Sequence, residues 1–133
     1  MLIAALALTL GASAQLDSPA IEVVQSSGDL AVAPLLARRH DEAIAVLEQS
    51  RIKTPHDPAV LINLGVAYAQ IGEDEAARAL FSEARTKRAA FDVATSDGRV
   101  TDPGVVARRA IRMLADGEFR TNRHAASQLT LRR

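Results

Sequence analysis

"LINLGVAYAQIGEDEAARALFSEA", residues 61–84, is the stretch that decides the fold. No charged side chain occurs over 61–72, and three acids, Glu73, Asp74 and Glu75, follow at once. Set at about 100° per residue, the segment from Pro58 to about Ile71 is apolar on three faces. Leu61, Leu64, Gly65 and Tyr68 share one, Ile62, Val66 and Ala69 a second, and Val60, Ala67 and Ile71 a third. Only Asn63 and Gln70 interrupt them. A helix that is hydrophobic all round must be covered by neighbours on most sides, yet 133 residues allow one small core. A layered array of helices satisfies both conditions. The next helix, Asp74 to about Arg88, carries a single stripe of Ala76, Ala77, Leu80, Phe81 and Ala84, and so forms an outer layer with Arg78, Ser82 and Arg85 toward water. Asp57 followed by Pro58 is a start signal, a capping carboxylate and then a ring that needs no amide hydrogen. Gly72 supplies the reversal between the two helices.

The same signals extend outward. From His40, a stripe of Ala43, Ile44 and Leu47 has helical spacing, with Asp41 and Glu42 in the first turn and Arg51 and Lys53 near the end, as the helix dipole favours. "TPHDP" stops that helix. Before it, "DLAVAPLLARR" spaces Leu30, Leu35 and Leu36 helically, but Pro34 lacks the amide hydrogen of an interior turn and breaks or kinks any helix there. After Ala90, "FDVATSDGRVT" alternates weakly around Asp97-Gly98, a turn pair suited to a short hairpin. "TDPGVVARRAIRMLADG" then gives a full helix, with Asp102 as cap, Pro103 in the first turn, Val106, Ala110, Met113 and Leu114 as the stripe, and Gly117 as terminator.

The spacing Leu61-x2-Leu64-Gly65-x2-Tyr68, followed by Ala77-x3-Phe81 and Ala84, resembles a tetratricopeptide repeat. Leucine stands in place of the usual Trp, and Ala89 in place of the terminal Pro. Moving back by the family period of about 34 residues places Ala43 under Ala77, Leu47 under Phe81 and Pro55 at the proline position, so the second helix of a preceding repeat is present in the same register. Its first helix departs from the pattern at Ser27, Ala31 and Pro34. The resemblance implies an all-α fold of antiparallel helix pairs, a fragment of an α–α superhelix, with the helix after Pro103 closing its open end. Gly65 and Ala77 allow close helix approach, while Tyr68 and Phe81 fill the space beside them. The packing set is therefore Leu61, Leu64, Gly65, Tyr68, Ala77, Phe81 and Ala84.

The outermost segments read differently. "MLIAALALTLGASA" is uncharged and apolar from Leu2 to Leu10, shorter than the roughly 20 residues of a spanning helix, and "ASA" before Gln15 fits a small-x-small cleavage site. The expectation is a secretory signal cleaved after Ala14 and a periplasmic or secreted product, with an uncleaved membrane tether as the alternative. The organisation follows: signal at 1–14, leader at 15–28, tetratricopeptide-like repeats at 29–90 with the clearest at 58–91, a turn or short hairpin plus capping helix at 91–117, and a disordered basic tail at 118–133. Fourteen Arg against two Lys, with 26 Ala, fits a high-GC bacterial coding bias, so the resemblance is to a short exported bacterial type.

Charge and motif content narrow the function. Sixteen basic and sixteen acidic residues cancel, so no overall field draws the chain to nucleic acid or an anionic membrane. Residues 1–75 hold ten acids against four basic residues, about −6, and residues 76–133 hold twelve basic residues against six acids, about +6. The chain is polarised end to end. The absence of cysteine removes disulfides, thiolate metal sites and cysteine nucleophiles. No G-x-S-x-G elbow, H-E-x-x-H pair, Walker motif or dinucleotide glycine pattern occurs. His40 and Asp41 point about 100° apart on a helix, and His56 and Asp57 sit at a helix start where capping suffices. His40, Asp41 and Glu42 read as a solvated first turn rather than a metal site.

These readings describe a non-catalytic protein-interaction module without cofactor, metal, nucleic acid or small-molecule substrate. Its expected partner is a protein or peptide segment. The groove implied by the resemblance is lined by Ala59, Ile62, Asn63, Val66, Ala69 and Gln70. Asn63 and Gln70 lie only about 20° apart around the helix, and their amides can both donate to and accept from a bound backbone. The basic residues of the family's carboxylate clamp are missing, with Gly28 and Val32 at the equivalent places, so an internal segment fits better than a free carboxyl terminus. The alternative is a structural subunit that self-associates as a homo-oligomer or joins a larger complex.

Overall fold

The structure, a computed structural model, describes residues 30–87, 92–95, 99–121 and 128–132. The signal expected over 1–14, the leader over 15–28 and the Asp97-Gly98 turn lie outside these residues. The elements run α1 (Val32–Leu36), α2 (His40–Lys53), α3 (Pro58–Gln70), α4 (Asp74–Thr86), β1 (Val93–Thr95), β2 (Val100–Thr101), α5 (Pro103–Ala115), α6 (Glu118–Thr121) and β3 (Leu131–Arg132). The fold is all-α in kind, with successive helices packed as neighbours and three very short strands at one side.

Local chemistry sets the helix ends. The Asp57 carboxylate accepts from the Ala59 amide at 2.9 Å, and Pro58 opens α3. At the other end Gly72 takes φ 86°, its amide donates to the Ala69 carbonyl at 3.2 Å, and the Glu73 amide donates to the Tyr68 carbonyl at 2.9 Å. This doubly bonded ending satisfies carbonyls that would otherwise lack partners. α5 repeats the scheme: Asp102 accepts from Val105, Pro103 opens the helix, and Gly117 at φ 71° ends it. α1 is only five residues long, in keeping with Pro34 in its middle.

α3 is the hub. It touches α1, α2, α4, α5, α6 and β3, which is the physical answer to an apolar surface on every side. Between α3 and α4, a β-carbon placed on Gly65 would lie 2.5 Å from Phe81 Cε1, so only glycine lets the ring seat there. Phe81 is fully buried and stacks on Phe119 of α6 with ring centroids 6.0 Å apart. On the opposite flank, Tyr68 donates its hydroxyl hydrogen to Glu48 of α2 at 3.1 Å. The α5 stripe of Val106, Ala110, Met113 and Leu114 is buried and packs against α4 and α3.

β1 is the middle strand, in the order β2-β1-β3 with both neighbours antiparallel. β2 pairs through Val93↔Thr101 and Ala94↔Val100, and β3 through Ala94↔Arg132 and Thr95↔Leu131. Here the structure corrects the sequence reading of a disordered basic tail for residues 118–121 and 128–132, the rest of 118–133 lying outside the described residues. Phe119, Leu129, Thr130 and Leu131 are all buried, and Arg120 pairs with Asp74 at the start of α4. The tail lacks periodicity because its burial rests on the Phe81 ring, on β1 and on α3, all distant in sequence.

Candidate partner-binding groove

Six residues of α3 were expected to line a groove open to a partner. The structure places five of them in the interior: Ala59 is 2% exposed, and Ile62, Asn63, Val66 and Ala69 have no exposure. Gln70 is half-buried. The groove reading is therefore corrected in one respect: the face carrying Asn63 is already covered by the chain itself, by the segment leading into α1 and by β3. α3 contacts both.

The cover is held through Asn63. Its Nδ2 donates to the Leu30 carbonyl at 2.8 Å and to the Leu131 carbonyl at 2.8 Å, and its Oδ1 accepts from the Leu131 amide at 2.7 Å. An extended residue presents its N–H and C=O to the same side, and a primary amide presents one acceptor and two donors. Asn63 thus bonds Leu131 as a neighbouring strand would, while β1 bonds the other side of β3. The side chain closes what would be an unpaired strand edge inside the protein, where each missing bond costs about 1–3 kcal/mol.

The two amides expected to act together are separated by this arrangement. Asn63 reads a backbone; Gln70, one helix turn beyond Val66, has a buried Oε1 with no hydrogen-bond partner among the described residues. The residues that sequence reasoning missed are Leu30, Leu129, Thr130 and Leu131. The signal available for the last three was the apolar alternation of Leu129 and Leu131 within "SQLTLRR", too short to separate from chance.

Around the covered face the chemistry is structural. Arg109 of α5 donates to Gln128, at the start of the segment that leads into β3. Beside it lies a cleft of about 170 Å³ bordered by Val100, Val105, Arg109 and Leu129. Elsewhere His56 meets one Glu83 oxygen at 3.3 Å and Arg51 approaches the other at 3.9 Å, an exposed cluster that links α4 to α2 and to the turn before α3. His40 heads α2 with a buried Nδ1 that has no partner among the described residues. Also among the described residues, no three His, Asp or Glu side chains are grouped to hold a metal ion, and no helix is long and apolar enough to cross a membrane.

The helix pair α3–α4, joined at Gly72 and packed through Gly65 against Phe81, is the unit that a comparison with known families can test. Residues 35–94 match the tetratricopeptide repeat family. The matched stretch runs from α1 through α2, α3 and α4 to β1. No curated protein and no solved structure gives a significant match to the chain. Tetratricopeptide repeats are in general protein-interaction modules, and the matched residues include the whole of α3 and α4. α5 follows α4 after the antiparallel β1–β2 pair, and Asn63 of α3 holds β3.

Proposed function

We propose that the chain is a non-catalytic adaptor of the cell envelope that holds an extended segment of another protein against α3. One observation carries the binding part of this reading: the side chain of Asn63, buried on the face expected to bind, already holds the extended backbone of Leu131 by two hydrogen bonds and the Leu30 carbonyl by a third. A side chain that satisfies main-chain groups gives affinity for the form of a strand, while the apolar residues beside it select side chains. The envelope part rests on the apolar, uncharged start that ends in "ASA" before Gln15. Selection of a displayed random-peptide library on the full chain tests the first part: enriched peptides should share an extended apolar pattern, and a selection yielding no common pattern overturns it. Cell fractionation with mass determination tests the second. A product beginning at Gln15 in the periplasm or medium is expected, and a cytoplasmic product retaining Met1 overturns it.

A second reading is favoured by Ile52 of α2, 73% exposed, and Leu36 of α1, 44% exposed. Both lie on the early helices of the array, where another copy could add its own helices. Sedimentation equilibrium decides between them, since self-assembly requires a dimer at micromolar concentration and the adaptor reading a monomer.

A further inference from the structure

The segment of residues 128–132 is not held as tails are usually held, by a few side chains lying on a surface. Leu129, Thr130 and Leu131 have at most 1% exposure. The backbone of Leu131 is bonded through both its amide and its carbonyl by one side chain of α3, and Arg132 is paired with Ala94 of β1. Two kinds of recognition are combined. Main-chain groups are read from both sides, by Asn63 and by β1, and two leucines two residues apart enter the interior. Neither kind depends on the segment belonging to this chain, because main-chain groups are the same in every protein and an apolar-x-apolar pair is a common pattern. Such a seat accepts strands by addition to an existing strand.

We infer that residues 128–132 are the resident occupant of the binding seat between α3 and β1, and that the partner is a protein segment of the form Leu-x-Leu that replaces them, its second leucine and the residue after it pairing with β1 as Leu131 and Arg132 do. This inference rests on the adaptor reading above. It names what that reading leaves open, the conformation and pattern of the partner, and it adds a control. A tethered occupant acts at an effective concentration on the order of millimolar, so a weak segment is excluded and only one that outmatches the chain's own strand enters. Arg109 contributes by bonding Gln128, which keeps the resident segment in register when the seat is not in use.

The test uses the full chain, which has no cysteine, carrying Ala94→Cys with Arg132→Cys, partners across the β1–β3 pair. Oxidation then clips the resident strand in place and reduction frees it, in one and the same polypeptide. The probe is a fluorophore-labelled synthetic peptide, Gln-Leu-Thr-Leu-Arg-Arg, identical to residues 128–133, followed by anisotropy. The reduced protein should bind the probe at least tenfold more tightly than the oxidised one. Leu131→Ala in the otherwise unchanged full chain, shown folded by circular dichroism, should bind it at least tenfold more tightly than the parent chain, because the resident strand is weakened and the probe is not. Equal binding in both redox states, no binding by the Leu131→Ala chain, or a disulfide that joins two chains instead of one would overturn the proposal. A chain that ignores this probe in both redox states but still enriches library peptides would lose the occupied seat and keep the adaptor function. A chain that does neither would lose both.

Discussion

α1 and α3 occupy equivalent places one repeat period apart, and they end in the same turn. In α3 the residue after the cap is Gly72 at φ 86°, and in α1 it is Arg38 at φ 59°. Each turn is closed by the same two bonds: Arg38 to Leu35 and Arg39 to Pro34 in α1, Gly72 to Ala69 and Glu73 to Tyr68 in α3. Yet α3 has 13 residues and α1 has five. The difference lies upstream of the turn. Pro34 stands at the place of Tyr68, and Ala31, left-handed at φ 49°, at the place of Gly65. The period thus decides where a helix ends, whereas the local residues decide how far back it extends. The shortened α1 has its own use, since it leaves the Leu30 carbonyl free of a helix and within reach of Asn63.

Substitutions at the paired positions can break or sharpen this comparison. The largest effect is expected at Gly65, where a leucine would bring its β-carbon to 2.5 Å from the nearest atom of the Phe81 ring. Gly65→Leu should cost more than the roughly 1–3 kcal/mol of ordinary overpacking and abolish the cooperative thermal melt, and an unchanged Tm would mean that α3 and α4 are paired in another register. Next comes Asn63→Ala, which strands the Leu30 carbonyl and both main-chain groups of Leu131. At about 1–3 kcal/mol for each unsatisfied group, less whatever water recovers, urea titration should show a loss of about 3 kcal/mol. A loss below about 1 kcal/mol would mean that the bonds to β3 contribute little.

Exchanging the turn residues is the most direct probe. Left-handed backbone costs a residue with a β-carbon about 1–2 kcal/mol, partly offset by the greater freedom glycine has when unfolded. Gly72→Arg should therefore lose about 1 kcal/mol, and Arg38→Gly should gain somewhat less than 1 kcal/mol. Opposite signs in chemical denaturation are the expected result, and equal signs would show that the two turns are not equivalent.

The smallest effect concerns Tyr68, which Pro34 replaces in α1. Burial, and then its hydrogen bond to the Glu48 carboxylate, raise its pKa above the ordinary tyrosine value. The folded state therefore favours the neutral phenol. Its contribution is complete below the unfolded value of about 10 and is lost as pH climbs from there through the folded value, because the unfolded chain releases its proton first. Tyr68→Phe should cost about 0.5 kcal/mol near neutrality, the low end for a hydrogen bond that is only partly buried, and the gap to the parent chain should close in urea titrations carried toward about pH 11.

The helices from His40 to Ala115 were legible because their signals are local: Asp57-Pro58, Asp102-Pro103, Gly72, Gly117 and stripes of period 3.6 each act within a turn or two. Asn63 reads from the sequence as an amide for a partner's backbone, whereas the structure has it bonding the chain's own at Leu131. That the backbone comes from residue 131 was not legible. Nothing near Asn63 in sequence refers to Leu131, and a strand of two residues carries no period of its own. The tail was read by its arginines, although Arg120 pairs with Asp74 and the leucines between the charges are what the core takes up.

The bonds at Asn63 reach 33 residues back to Leu30 and 68 residues forward to Leu131, whereas α3 and α4 meet through neighbours in sequence. Contacts between distant residues form late, after local helices have paired, and a short strand docked by them is among the first parts to open in the native state. The Leu131 amide should therefore exchange its hydrogen with heavy water sooner than the amide of Leu64, although neither leucine has any solvent exposure. Depth in the static fold and persistence over time rank these two residues differently.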